Sequence, residues 1–169
     1  MKLKEILGTA IRMEEEGYEF YKKAEGCTAD RRGRGMFASL AEDEVRHRRI
    51  LTGLLNNVPP DANDLDVPLP KERLRSVFAE LAQGDVCDTV QPSADDIDAL
   101  TIAMGKETES YRLYQQAAKD TGDAGARAMF ERMAREEEQH YEILEQTRYY
   151  LTEFKNWTLW EEGGPIEGG

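Results

Sequence analysis

Glu44 and His47 stand three residues apart, and Glu137 and His140 repeat that spacing with the only other histidine of the chain. On an α-helix, positions i and i+3 leave the same face. That face carries Phe37, Leu40 and Leu51 beside the first pair, and Phe130, Met133 and Leu144 beside the second. Both pairs therefore point into an apolar interior. Two more glutamates keep similar company: Glu14 sits among Ala10, Gly17 and Tyr21, and Glu107 among Ala103, Ser110 and Tyr114. Four buried carboxylates without counter-charge are costly, because desolvation and like-charge repulsion add. Two divalent cations would cancel those charges and take the imidazoles as neutral ligands. One Glu from each of two helices, with Glu-x-x-His from each of two others, is the donor set of di-iron carboxylate bundles. Carboxylate with imidazole suits iron or manganese and also accepts zinc. The expected ligands are thus Glu14, Glu44, His47, Glu107, Glu137 and His140.

A lone Glu-x-x-His is usually a solvated helix face. Here both histidines of the chain fall in it, on inward faces, at matching points of a repeat, which favours the metal. For Tyr21 and Tyr114 two readings stand side by side, a core filler or a hydrogen-bond donor to a ligand carboxylate. Tyr18 and Tyr111 read as core residues. Glu16 and Glu109 turn away from the ligand face, towards the surface or a subunit contact. The arginines of 31–34 and 46–49 are expected to pair with nearby acids.

The elements that must carry these residues come from an internal duplication. Ala10, Glu14, Tyr21, Met36, Phe37, Glu44 and His47 recur as Ala103, Glu107, Tyr114, Met129, Phe130, Glu137 and His140. The offset is constant (107 − 14 = 93; 140 − 47 = 93). Two copies of a helical hairpin fit so long a period, over 3–56 and 94–155. In the first copy Ile6, Ala10, Met13, Gly17, Tyr21 and Ala24 line one face at helical spacing. Phe37, Leu40, Ala41, Ile50, Leu51 and Leu54 line its second helix. Asp30 reads as one N-cap, and Ser93, followed by Asp95 and Asp96, as another. Pro59 and Pro60 close the second helix, and Gly122 marks the turn of the second hairpin. The connection, 57–93, holds one expected helix over 71–83, stopped by Gly84. A link of that length predicts an all-α four-helix bundle with a crossover, of the ferritin-like kind, rather than an up-down bundle. The expected domain is 1–155, with a tail over 156–169 in which Trp157 and Trp160 serve a subunit contact or pack over the bundle end.

Composition narrows the function classes. The 169 residues suit one domain, and a net charge of −12 argues against nucleic acid and anionic membranes as partners. No apolar run nears the length of a membrane span, and the first residues run straight into an amphipathic pattern, so a soluble cytoplasmic protein is expected. Cys27 and Cys87 form no Cys-x-x-Cys pair, which leaves a zinc ribbon or rubredoxin-type iron site unsupported.

With these motifs in place the chain resembles a rubrerythrin-type member of the ferritin-like superfamily, without the rubredoxin domain. The resemblance rests on Ala10-x-x-x-Glu14 followed by Tyr21, Glu44-x-x-His47, Ala103-x-x-x-Glu107 followed by Tyr114, and Glu137-x-x-His140, and it spans the chain to about residue 150. It implies two iron ions, with reduction of hydrogen peroxide or oxidation of ferrous iron by dioxygen or peroxide. It also implies a homodimer. Typical rubrerythrins add a further Glu one turn after the third-helix ligand, where this chain has Ser110, with Gly17 at the duplicate position. The remaining six donors resemble those of bacterioferritins.

Three functions follow as alternatives. The leading one is a di-iron oxidoreductase fed with electrons by a separate donor such as a rubredoxin-like protein, since the chain has no Cys-x-x-Cys of its own. The others are an iron-storing or iron-delivering protein, and a helical module with a structural metal.

Overall fold

Asp30 and Ser93 both open helices as their types demand. In the computed structural model, the Asp30 carboxylate accepts from the amides of Arg32 and Gly33, and Ser93 exchanges hydrogen bonds with Asp96 in a capping box. The structure describes residues 3–82, 93–155 and Trp157. The expected stop at Gly84, Cys87, the Pro92 that precedes the Ser93 cap and the tail with Trp160 lie outside them.

Six helices occur among the described residues: α1 (Leu3–Cys27), α2 (Arg31–Leu55), α3 (Ala62–Leu65), α4 (Pro70–Ala82), α5 (Ala94–Asp120) and α6 (Ala124–Phe154). Asp123, next to the Gly122 turn, caps α6, its carboxylate accepting from the Ala126 amide at 2.7 Å. An Asp side chain serves better against the unpaired amides of a first turn than inside it. The helix in the connection appears as α4, with Pro70 at its first position, where a missing N–H costs nothing. The single turn α3 escaped prediction. It holds four residues, too few for a periodic signal, and is opened by Asp61, which accepts from the Asn63 amide at 2.8 Å.

Helices α1 and α2 form one hairpin and α5 and α6 the other, with α1 against α5 and α4 laid over α2 and α6. The chain is an all-α ferritin-like bundle. Among the described residues its core has two apolar clusters. Tyr21, Phe37, Leu40, Leu100, Ile143 and Leu151 belong to one, and Ile6, Leu7, Ala10, Leu51, Phe130 and Met133 to the other. Glu14 lies between Ala10 and Tyr21 on α1, so a polar layer separates the clusters. Met13 and Leu54, expected inside, are only half-buried at the edges of their stripes. No helix among the described residues is long and apolar enough to cross a membrane.

Trp157 packs back on the bundle and is 4% exposed. Its ring lies so close over Gly33 that a Cβ there would come within 2.8 Å of it. Replacing Trp157 with alanine should cost about 3 kcal/mol, the usual scale for emptying a buried aromatic site. Denaturant unfolding measures this, and a loss under about 1 kcal/mol would show that the indole adds little to the core.

Candidate metal centre

All six expected ligands are buried, at 0–4% exposure, and come from α1, α2, α5 and α6. Their donor atoms fall into two groups, Glu14 with Glu44 and His47, and Glu44 with Glu107, Glu137 and His140. Glu44 belongs to both. Glu137 also faces both histidines: Oε1 lies 2.8 Å from His47 Nδ1 and Oε2 3.2 Å from His140 Nδ1. The other glutamates are local, Glu14 Oε2 3.4 Å from His47 Nδ1 and Glu107 Oε2 3.4 Å from His140 Nδ1. The imidazole planes are 26° apart with centroids separated by 6.0 Å.

Each histidine turns Nδ1 into the site because Nε2 is held from outside. His47 Nε2 lies 2.6 Å from Glu136 Oε2, and His140 Nε2 lies 2.9 Å from Asp43 Oδ2. A neutral imidazole with its proton on Nε2, donated to those carboxylates, offers its Nδ1 lone pair to a metal. The pairing crosses the hairpins, so each histidine is held by an acid of the other repeat. Asp43 and Glu136 were not among the residues anticipated from sequence. They occupy equivalent positions (136 − 43 = 93), but one is Asp and the other Glu, so matching by identity passes over them while matching by charge finds them.

The tyrosines also cross. Tyr21 on α1 donates to Glu107 on α5, and Tyr114 on α5 donates to Glu14 on α1. Both rings also fill the core, stacked on Phe37 and Phe130, so each tyrosine does both jobs foreseen for it. Glu16 and Glu109 are exposed, Glu16 lying 4.0 Å from Lys106. Arg46, Arg48 and Arg49 pair with acids as expected. Arg34 does not: it donates to the carbonyls of Thr28 and Ala29, closing the hairpin turn instead.

Four donor atoms, Glu14 Oε2, Glu44 Oε1, His47 Nδ1 and Glu137 Oε1, are buried without a hydrogen-bond partner. Buried polar atoms are seldom left so, and these four all aim into the donor groups. The set of carboxylates and imidazoles fits a pair of divalent cations. Without them, protons must hold the charges apart. Burial pushes the Glu137 carboxyl up to about 8, with Glu14 and Glu107 adding to the effect. Burial likewise raises Glu44 well above the carboxylate range, with Glu14 and Glu137 adding to it. For Glu14, burial works upward but the charge of the adjacent His47 outweighs it and holds the group low. Glu107 is held low in the same way by His140. Burial works against both imidazolium forms, yet the surrounding carboxylates raise both histidines well above their usual range. Asp43 is held down to about 2, its burial overcome by His140 and by Arg73.

A family model described as Rubrerythrin matches residues 5–147. The chain belongs to the rubrerythrin family. Searches of curated proteins and of solved structures gave no match. The family typically binds iron, and the buried carboxylates and histidines of this rubrerythrin-family chain form donor groups of the size a metal ion needs. The matched span contains all six donors and the two acids behind the histidines.

Gly17 has a specific place in the centre. A Cβ built on it would lie 2.8 Å from Glu44 Oε2 and 3.2 Å from its Cδ. The Glu44 carboxylate, which belongs to both donor groups, occupies the space that a side chain at position 17 would need. If the donor groups take one ion each, Gly17→Ala should leave the helical circular dichroism intact while reducing bound metal from two ions per chain towards one. Unchanged metal content by elemental analysis would show that Glu44 can swing aside without cost.

Proposed function

We propose that the chain is a non-haem di-iron oxidoreductase that reduces hydrogen peroxide, oxidises ferrous iron, or does both, in oxidative-stress defence or iron handling. The observation that supports it is the group of unpartnered buried oxygen and nitrogen atoms converging between four helices. In this reading Glu14 and His47 would hold one ion and Glu107 and His140 the other, with Glu44 and Glu137 available to both. Manganese or zinc would fit the same donors. When bound, two ferrous ions would supply the two electrons that, with two protons, convert one peroxide to two waters, both ions ending ferric.

The residues of the chain do the rest. Tyr21 and Tyr114 fix the Glu107 and Glu14 carboxylates through their O–H groups, and Asp43 and Glu136 fix the two rings. The apolar clusters above and below keep bulk water from the polar layer, which strengthens every charge interaction inside it. Electrons return from a separate donor such as a rubredoxin-like protein, and the site of action is the cytoplasm. A homodimer is part of the same proposal.

Stopped-flow mixing of the ferrous-loaded chain with peroxide tests this. Oxidation well above the rate of free ferrous iron, with two metal ions per chain by elemental analysis, is the expected result. Oxidation no faster than free ferrous iron would remove the enzymatic reading. A large hollow assembly in sedimentation would move the case to iron storage.

A further inference from the structure

Three arginines surround the two acids behind the histidines, and they share them unequally. Among the described residues, Arg73 pairs with Asp43, and Arg132 pairs with Glu136, Nε to Oε1 at 2.5 Å. Arg46 reaches both: its Nη2 lies 3.3 Å from Asp43 Oδ1 and also pairs with Glu136. All three are tied to the connection between the hairpins. Arg73 belongs to α4, Arg46 Nη1 donates to the Asp64 carbonyl at 3.2 Å, and Arg132 Nη2 donates to the Val67 carbonyl at 2.6 Å. The duplication does not supply this set. The counterpart of Arg46 is Gln139 (46 + 93 = 139), and that of Arg132 is Ser39 (132 − 93 = 39). Gln139 instead accepts from the Lys71 amide in the first turn of α4, at 3.2 Å.

We infer that these arginines are positioning residues that address the metal centre one half at a time: Arg73 the His140 half, Arg132 the His47 half, and Arg46 both. The connection between the hairpins is thereby a working part of the centre. The inference rests on the proposal that the six donors hold metal. A guanidinium restrains a carboxylate through charge-assisted hydrogen bonds. The carboxylate so fixed keeps the Nε2–H of its histidine in line, and the ring then presents Nδ1 at one angle only. Loss of such an outer partner typically weakens metal binding by about 10–100-fold. Because Asp43 and Glu136 serve different histidines, the loss should be confined to one half when Arg73 or Arg132 is changed.

Cobalt(II) titration, followed by its visible absorption, tests the pattern in chains with one histidine removed. In His140→Ala, Arg132→Met should weaken the remaining site by about 10–100-fold, while Arg73→Met leaves it within about twofold. In His47→Ala the two effects should exchange places. Arg46→Met should weaken both, and Arg73→Lys should recover most of what Arg73→Met loses. Equal weakening of both halves by Arg73→Met and Arg132→Met would reveal mere loosening of the bundle and overturn the inference, as would no weakening by either. The metal-free chain gives a second readout that needs no cobalt. By NMR, Arg73→Met should speed solvent exchange of the His140 Nε2 proton and spare that of His47, and Arg132→Met the reverse. Any other pattern of exchange overturns the inference. A wild-type chain that takes up no metal at all would sink the proposed function, while the NMR comparison would still decide the roles of the arginines.

Discussion

On the proposed di-iron reading, replacing Glu137 with alanine is expected to reduce bound metal from two ions per chain to at most one and to abolish rapid oxidation by peroxide. Glu137 directs one oxygen at each histidine, 2.8 Å from His47 Nδ1 and 3.2 Å from His140 Nδ1. No other donor in the layer is within 3.5 Å of both rings in this way among the described contacts. Removing it takes a charge from both cation positions at once. The loss should exceed the 10–100-fold typical of removing an outer partner such as Asp43, and so separates a ligand from its support. Stability adds a second signature, of opposite sign. Without metal, Glu137 holds its proton to about 8, so its removal should stabilise the metal-free chain only above that pH, where its charge would repel the other carboxylates. With metal, the same change should destabilise, because binding to the folded state is lost. Elemental analysis, stopped-flow oxidation and thermal unfolding of both forms measure this, with the exposed neighbour Glu138→Ala as the control. Two tightly bound ions in Glu137→Ala would show that Glu137 is not shared between them.

Stripping the metal should make stability fall as pH rises, and restoring it should reverse the trend. The folded chain holds the Glu137 proton to about 8, whereas the unfolded chain releases it near the ordinary value of 4.5. Stability from that group is therefore complete below about 4.5 and is lost as pH passes through 8. Glu44 shifts in the same direction, and so do both histidines, whose protonated forms the surrounding carboxylates favour. Glu14 and Glu107 act oppositely, since their depressed values contribute stability above 4.5 that is lost only in acid. Between about pH 6.5 and 8 the raised groups govern. Each proton retained by the folded state costs about 1.4 kcal/mol per pH unit in that window. Metal displaces those protons, so its binding tightens as pH rises. The unfolding temperatures of the loaded and stripped chains should thus diverge from about pH 6.5 to 8. Parallel curves would mean that the carboxylates do not share protons as their burial requires.

Much of this architecture was legible in the residues alone, and the reason is periodicity. The duplication at 93 residues, the caps Asp30 and Ser93, and the inward faces bearing Glu14, Glu44, His47, Glu107, Glu137 and His140 are all properties of spacing along one chain. Spacing decides which side of a helix a residue occupies, because helical geometry is local. Four carboxylates and two histidines on such faces already called for cations, because an uncompensated buried charge is costly whatever the details of the fold.

What only the tertiary structure decided is who meets whom across the helices. Asp43 could have held His47 on its own helix, and it holds His140. Tyr21 could have turned to Glu14, and it binds Glu107. Gly17 looked like a missing ligand position, and it is the space that Glu44 occupies. The placement of α4 over α2 and α6, which brings Arg73 to Asp43, follows from no pattern within 57–93. These contacts depend on the relative height and rotation of separate helices, and packing sets those only once every side chain is in place. The chain alone thus specified the six donors and the faces that bear them. The fold chose the partners that aim them.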